Sequence, residues 1–238
     1  MAAEKKISDE HMKEFSRVGR EYSYKKQAIF FLNAYWMEYG VNGKIEDMTE
    51  TVWSNVHTAI ELDQKMGEEG HSLDEFQSHR FLEKYGQTLT VVAMRQELKK
   101  IDIDTDNKMS LLEYFVYHYK LDVTTLMNRP QGVNEELEKA EAALEEVLAE
   151  IDKLEKKKAK LRKKAEKGGV KGKAAANELE QIEASDPMPI RKALVTAQAA
   201  LRRAQKSKDL SAAGKLWYIE REIAEAAKYK PKANWKRT

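Results

Sequence analysis

The stretch Asp102-Ile103-Asp104-Thr105-Asp106-Asn107-Lys108-Met109-Ser110-Leu111-Leu112-Glu113 stands between two helix-forming runs and decides how the first half of the chain folds. A hard cation such as Ca²⁺ takes about six to eight oxygen ligands, and a helix–loop–helix loop supplies them from its positions 1, 3, 5, 7, 9 and 12. Those positions hold Asp102, Asp104, Asp106, the carbonyl of Lys108, Ser110 acting through a water, and Glu113 as the bidentate ligand. Met109, at the eighth position, is apolar, as a short strand against a partner loop requires. Asn107 stands where glycine usually takes a sharp turn with positive φ. Asparagine is one of the few other residues that tolerates that geometry, which predicts a modest loss of affinity and a working loop. A turn that only caps a helix needs one Asx residue, not three at alternate positions followed by Glu.

The flanks agree with a calcium-binding EF-hand. Val91, Val92, Met94, Leu98 and Ile101 predict an apolar stripe on the entering helix, and Leu112, Phe115, Val116 and Tyr119 one on the exiting helix. A single hand leaves an apolar face uncovered, so a partner is expected upstream. Met66 to Gln77 fits the loop register with Leu73 at the apolar eighth position, but Met66, Gly70 and Gln77 then replace ligands. It reads as a degenerate hand that supports its neighbour without binding calcium, and His71 and His79 read as surface or packing residues.

Further upstream, Ser8-Asp9-Glu10 predicts a helix start. Gln27 to Tyr39 is apolar nearly all round, the pattern of a helix buried on most sides, and predicts the central strut of the first domain. Val52, Trp53, Val56, Ala59, Ile60 and Leu62 place another helix over about residues 46–66, closing at Gly67.

Composition limits what the rest can be. The 238 residues include 34% charged and 42% apolar side chains, with 4 Pro, 11 Gly and no Cys. Few breakers and many charges predict long solvated helices. The lack of cysteine excludes disulfides, thiolate nucleophiles and zinc–cysteine sites. No phosphate-cradling glycine loop and no His-Glu-x-x-His pattern occurs, and the chain reads as a non-enzyme without catalytic residues. The N-terminus lacks a hydrophobic signal core and no apolar run is long enough to span a membrane, so a soluble cytoplasmic protein is expected. Charge is divided unevenly: residues 1–133 carry 17 Lys/Arg against 22 Asp/Glu, or −5, and residues 134–238 carry 25 against 18, or +7.

The boundary falls near Leu126 to Gly132, giving domains 1–128 and 129–238. Beyond it, Leu137, Ala140, Leu144, Val147, Ile151, Leu154, Leu161 and Ala165 recur three and four apart, interrupted by Lys158. Gly168-Gly169-Val170-Lys171-Gly172 breaks that helix, Leu179-Ile182 opens a shorter one ending at Asp186-Pro187, and Ile190, Leu194, Ala197, Leu201 and Ala204 mark a third. A last helix over about residues 212–228 offers Leu216, Trp217, Ile219 and Ile223. The fold class is therefore all-α: an EF-hand domain followed by an antiparallel helical hairpin or bundle of coiled-coil type. Trp217 reads as core and Trp235, in the lysine-rich tail, as a contact residue.

Between Lys153 and Lys173 a dense run of Lys and Arg is opposed only by Glu155 and Glu166. Such a face attracts a polyanionic surface: nucleic acid, anionic lipid, or a filament with an acidic exterior such as actin or tubulin. Nucleic acid is disfavoured because no aromatic stacking platform accompanies the lysines.

The chain resembles the small calcium-regulated actin-bundling proteins of protists over most of its length. The likeness rests on Gln27-Ala28, Phe31-Leu32-Asn33-Ala34-Tyr35-Trp36, Leu112-Glu113-Tyr114 and Tyr117-His118-Tyr119-Lys120 in the first half. In the second half it rests on Ala143-Leu144-Glu145-Glu146-Val147, Gly169-Val170-Lys171-Gly172, Gln181-Ile182, Ala199-Ala200-Leu201-Arg202 and Trp217. The resemblance implies one degenerate and one calcium-competent hand, a coiled-coil-like domain carrying the main actin-filament surface, cytoskeletal location, and crosslinking that calcium lowers. Filament contacts are expected from Lys156, Lys157, Lys160, Arg162, Lys163 and Lys164, and more weakly from Lys171, Arg202 and Arg203. The residues alone also allow a structural component of a microtubule array or a calcium sensor that captures a partner helix, in a monomer or weak dimer. Four crowded carboxylates should repel in the calcium-free loop, and neutralising them should draw Glu113 inward and move the exiting helix.

Overall fold

The structure, a computed structural model, describes residues 7–86, 90–206 and 210–231, and is helical apart from one short ribbon. Among the described residues, those up to 132 together with 210–214 form one compact unit, and those within 133–209 and 215–237 form another.

The first unit begins with α1 (Asp9–Glu21), whose N-cap Ser8 hydroxyl accepts from the His11 N–H at 3.2 Å, as the sequence predicts. Next, α2 (Tyr24–Val41) is the buried strut: Tyr24, Ala28, Phe31 and Leu32 have no accessible surface. Burying one such side chain fully stabilises by about 1.5–3 kcal/mol. Then come α3 (Ile45–Leu62), β1 (Ser72–Leu73), α4 (Glu75–Lys84), α5 (Val91–Ile101), β2 (Met109–Ser110), α6 (Leu111–Tyr119) and α7 (Val123–Met127). The two strands pair antiparallel, with Leu73 opposite Met109 and Ser72 opposite Ser110. Phe31 of α2 packs its ring on Phe115 and Tyr119 of α6, with centroids at 4.8 and 5.3 Å.

Buried Gln27 is the polar hub of this unit. Its Nε2 donates to the carbonyls of Gly19, Tyr22 and His71, and its Oε1 accepts the Leu112 N–H. One amide thus satisfies groups at the end of α1, beside β1 and at the start of α6, the pairing that a buried polar group requires. Residues 210–214 also belong here: the Gly132 N–H donates to the Ser211 carbonyl at 3.1 Å, and a Cβ on Gly214 would stand 2.6 Å from the Asn33 nitrogen on α2.

Two expectations for this unit need correcting. Val91 and Val92 are 56% and 67% exposed, because α5 starts at Val91 and turns its first residues outward; Met94 and Ile101 carry its buried face. The first loop also opens earlier than Met66. Helix α3 ends at Leu62, and Asp63 is its C-cap, just as Asp102 caps α5.

In the second unit, α8 (Glu135–Ala165) is faced by a partner made in two segments, α9 (Gly169–Ala184) and α10 (Met188–Ala204), and α11 (Ala213–Ala227) closes the order. Lys157 pairs with Glu178, Pro187 and Ile190 lie beside Glu150 and Leu154, and Arg203 faces Glu136, so both segments run antiparallel to α8. Leu137, Ala140, Leu144, Val147 and Ile151 of α8 are buried, as are Ile190, Leu194, Ala197, Leu201 and Ala204 of α10, the heptad positions read from the sequence.

Three details differ from the sequence reading. Helix α9 starts at Gly169, not near Leu179: Gly168 and Gly169 make the turn at φ +68° and +71°, a conformation that glycine adopts freely, and the alanines that follow extend the helix backward. A Cβ on Gly172 would lie 3.1 Å from the Ala165 carbonyl, so the glycine lets the hairpin close tightly. Trp217 is only half-buried, and the adjacent Tyr218 takes the core position. Lys158, which breaks the heptad pattern, is 1% exposed. Its ammonium sits 2.7 Å from Glu155 Oε1 and also donates to the Pro231 carbonyl, so the buried cation has both an ionic and a backbone partner. Trp235 lies outside the described residues.

Candidate calcium loop and basic helix face

Helix α5 delivers Asp102 at its C-cap, and β2 and α6 deliver Ser110 and Glu113, so both ends of the acidic loop are held by regular structure. Within it, carboxylate oxygens of Asp102, Asp104 and Asp106 lie within 4.8 Å of one another. Both Asp102 oxygens accept backbone N–H groups, from Asp106 and Asn107, each at 3.0 Å, and Asp106 Oδ1 accepts from the Lys108 N–H at 2.9 Å. These bonds fold the loop around its own acidic side chains. Lys108 stands between Asn107, at φ +62°, and the start of β2.

Glu113 closes the loop. It is 4% exposed; Oε1 accepts from the Ile103 N–H at 2.9 Å, and Oε2 accepts from the Ser110 N–H and hydroxyl, each at 2.9 Å. Burial pushes its carboxyl up to about 7, against the opposing effect of the Ser110 hydrogen bonds. The inward position expected to follow calcium binding is therefore already taken, supported by backbone donors. The expected repulsion is also relieved, because Arg20 of α1 places Nη2 3.0 Å from Asp104 Oδ2 and Nε 3.4 Å from Asp106 Oδ2. Nothing in the spacing of the loop signals this residue, which lies in a helix remote in sequence.

The loop fits a hard cation. Asp104 Oδ1 is buried without a hydrogen-bond partner, the acceptor that an ion would complete, and the donor set is entirely oxygen. The first loop has a different chemistry. Buried Asp63 accepts from the Tyr24 hydroxyl and the Met66 N–H, both at 3.1 Å, and the closing residue is Gln77, which forms a capping box with Asp74. Ser110 and Glu113 form the same capping box at the second loop. His71 bonds to Ser72 and His79 lies 3.4 Å from Glu83, and neither joins a metal-binding cluster among the described residues.

In the second unit the basic residues divide into two sets. Lys156 pairs with Asp152, Lys157 with Glu178 and Arg162 with Glu183, at 2.6, 2.9 and 3.0 Å. Lys160, Lys163, Lys164 and Lys171 are exposed and make no ion pair among the described residues, and the same holds for Lys167, Lys173, Arg202 and Arg203. Lys164, Lys167 and Lys171 line a cleft of about 550 Å³ at the turn between α8 and α9. The uncompensated lysines of α8 and α9 thus gather toward that turn, where a polyanionic surface would meet them, whereas Arg202 and Arg203 lie at the opposite end of α8, near Glu136.

A family model described as "F actin bundling C terminal" matches residues 82–236. A calcium-regulated actin-bundling protein of Dictyostelium discoideum is 32% identical over 269 aligned positions, covering 94% of this chain and 90% of that protein. The crystal structure of the 34 kDa F-actin bundling protein of Dictyostelium discoideum matches with a TM-score of 0.83 at 30% identity, covering 95% of this chain and all of that one. Among the described residues no helix is long and apolar enough to cross a membrane. The family model over residues 82–236 and the likeness to these relatives over nearly the whole length agree: the chain belongs to the F-actin bundling family.

Proposed function

We propose that this chain crosslinks actin filaments under calcium control. The observation that carries the reading is the extent of the likeness: 94% of the chain aligns with a protein named for calcium-regulated actin bundling, so the acidic loop and the basic helices are both included. Calcium would be held by Asp102, Asp104, Asp106, the Lys108 carbonyl, Ser110 and Glu113, and loading lowers crosslinking. When bound, the ion supplies two positive charges to a cluster that Arg20 and backbone N–H groups otherwise balance. Asp102 terminates α5 and Glu113 lies in the first turn of α6, so the loop side chains tie together the two helices of the hand.

Filament contacts are assigned to the exposed lysines that have no ion-pair partner among the described residues, Lys160, Lys163, Lys164 and Lys171, with Arg202 and Arg203 ranked below them because Arg203 faces Glu136. Lys156, Lys157 and Arg162 are secondary, because each must leave an acidic partner to meet a filament. This role places the protein on the cytoskeleton. The test is sedimentation with actin filaments at low speed, which collects bundles, and at high speed, which collects bound protein, each with calcium and with chelator. Bundling that calcium reduces in the natural protein but not in Asp102→Ala is the expected result. No sedimentation with filaments under either condition rejects the reading.

A further inference from the structure

We propose that Arg20 is an internal competitor for the calcium loop, a tethered cation that occupies Asp104 and Asp106 until calcium displaces it. The inference rests on the calcium reading of residues 102–113. The guanidinium touches two of the three carboxylates that converge within 4.8 Å, at 3.0 Å from Asp104 and 3.4 Å from Asp106. Asp102 and Asp106 also accept loop N–H groups through their carboxylates, whereas Asp104 Oδ2 has the guanidinium and its Oδ1 has no partner. Arg20 therefore stands in for part of the charge that the ion would bring.

The backbone that carries Arg20 is fixed against the loop. A Cβ on Gly19 would lie 3.2 Å from the Ser110 hydroxyl, and the Gly19 and Tyr22 carbonyls are both held by buried Gln27. The guanidinium itself is delivered by that anchored turn but is 51% exposed, so it can leave for water at little desolvation cost. A divalent ion and a guanidinium sharing the same carboxylates repel, so the contact must weaken calcium binding while it stabilises the calcium-free loop. A merely structural arginine would strengthen both.

Calorimetric titration of the full chain with calcium chloride, paired with thermal melting in chelator, separates these roles. Arg20→Gln is expected to tighten calcium about three- to tenfold, the range for one screened charge facing a divalent ion, and to lower the melting temperature in chelator. Arg20→Lys, which keeps the charge, should stay within about twofold of the natural affinity. Arg17→Gln is the control, since Arg17 pairs with Glu14 and Glu21 instead, and should leave affinity unchanged. Unchanged or weaker calcium binding by Arg20→Gln, or equal tightening by Arg17→Gln, overturns the proposal. If the natural protein gives no heat that Asp102→Ala abolishes, the calcium reading itself fails and takes this inference with it.

Discussion

Leu73 lies opposite Met109 in the antiparallel ribbon, and both are buried. The pairing joins the eighth position of the acidic loop to the equivalent position of a loop whose one buried carboxylate, Asp63, is committed to Tyr24 and Met66. Truncating Leu73 to Ala removes a fully buried side chain and should destabilise the first unit by about 2–5 kcal/mol. Because Met109 is one residue from Ser110, the same change should also weaken calcium binding, although Leu73 touches no ligand. Urea unfolding and calorimetric titration of Leu73→Ala check both effects; loss of stability with full calcium affinity would mean that the ribbon does not hold the loop in shape.

Substitutions on the basic face should sort by internal pairing. Exposed charges contribute roughly 0.5 kcal/mol each, so Lys160→Gln, Lys163→Gln and Lys164→Gln together should weaken filament binding by about tenfold. The triple change of Lys156, Lys157 and Arg162 to Gln should have a smaller effect, since those charges are already shared with Asp152, Glu178 and Glu183. Co-sedimentation over a range of filament and salt concentrations reads the difference, and raised salt should weaken the natural contact. Equal losses from the two triples would show that internal pairing does not rank the contacts.

The parts of this fold that could be read from the sequence are those where one residue type repeats at a fixed spacing. Ile190, Leu194, Ala197, Leu201 and Ala204 are all buried because a straight helix has little choice about which face meets its partner. The convergence of Asp102, Asp104 and Asp106 is equally legible, since their spacing is local and the backbone brings them together. What stayed hidden depends on contacts remote in sequence. Arg20 looks like any polar residue near a helix end until α1 is placed beside the loop. Lys158 looks like a flaw in the heptads until Tyr229 and Pro231 are seen to return alongside it. The start of α9 is not legible because glycine signals a break without saying how short the break is; here Gly168 and Gly169 make the turn and Gly172 already belongs to the helix.

Lys158 also allows a stability prediction of its own. Its ammonium bonds to Glu155 and to the Pro231 carbonyl, and Glu155 in turn accepts from the Tyr229 hydroxyl. Lys158→Ala leaves a cavity and an unpaired carbonyl, and breaking a buried pair from one side costs about 3–5 kcal/mol, less here because the Glu155 side chain is 36% exposed. Lys158→Met leaves the same carbonyl unpaired but keeps the volume, and should cost less than the alanine by the cavity alone. Thermal melting ranks the two, and limited proteolysis should show faster cleavage after Ala227 in the alanine variant alone. Equal destabilisation by Met and Ala would locate the stabilisation in the charge and not in the packing.

The last prediction concerns backbone strain in the acidic loop, where two residues other than glycine have left-handed conformations: Thr105 at φ +57° and Asn107 at φ +62°. Asn107 replaces the usual glycine, but Thr105, two residues earlier, is the more strained of the two. Asparagine visits this region readily, whereas a β-branched side chain brings its Cβ and a second branch against the backbone, a penalty of about 1–2 kcal/mol for an ordinary residue. Glycine relieves that strain but loses up to about 1 kcal/mol through greater freedom in the unfolded chain. For Asn107→Gly the two effects nearly cancel, and stability should change by less than about 0.5 kcal/mol. Thr105→Gly should gain about 0.5–1 kcal/mol, because more strain is released for the same entropy. Urea unfolding in chelator measures both, and a larger gain from Asn107→Gly would show that the sixth position, not the fourth, stores the strain of this loop.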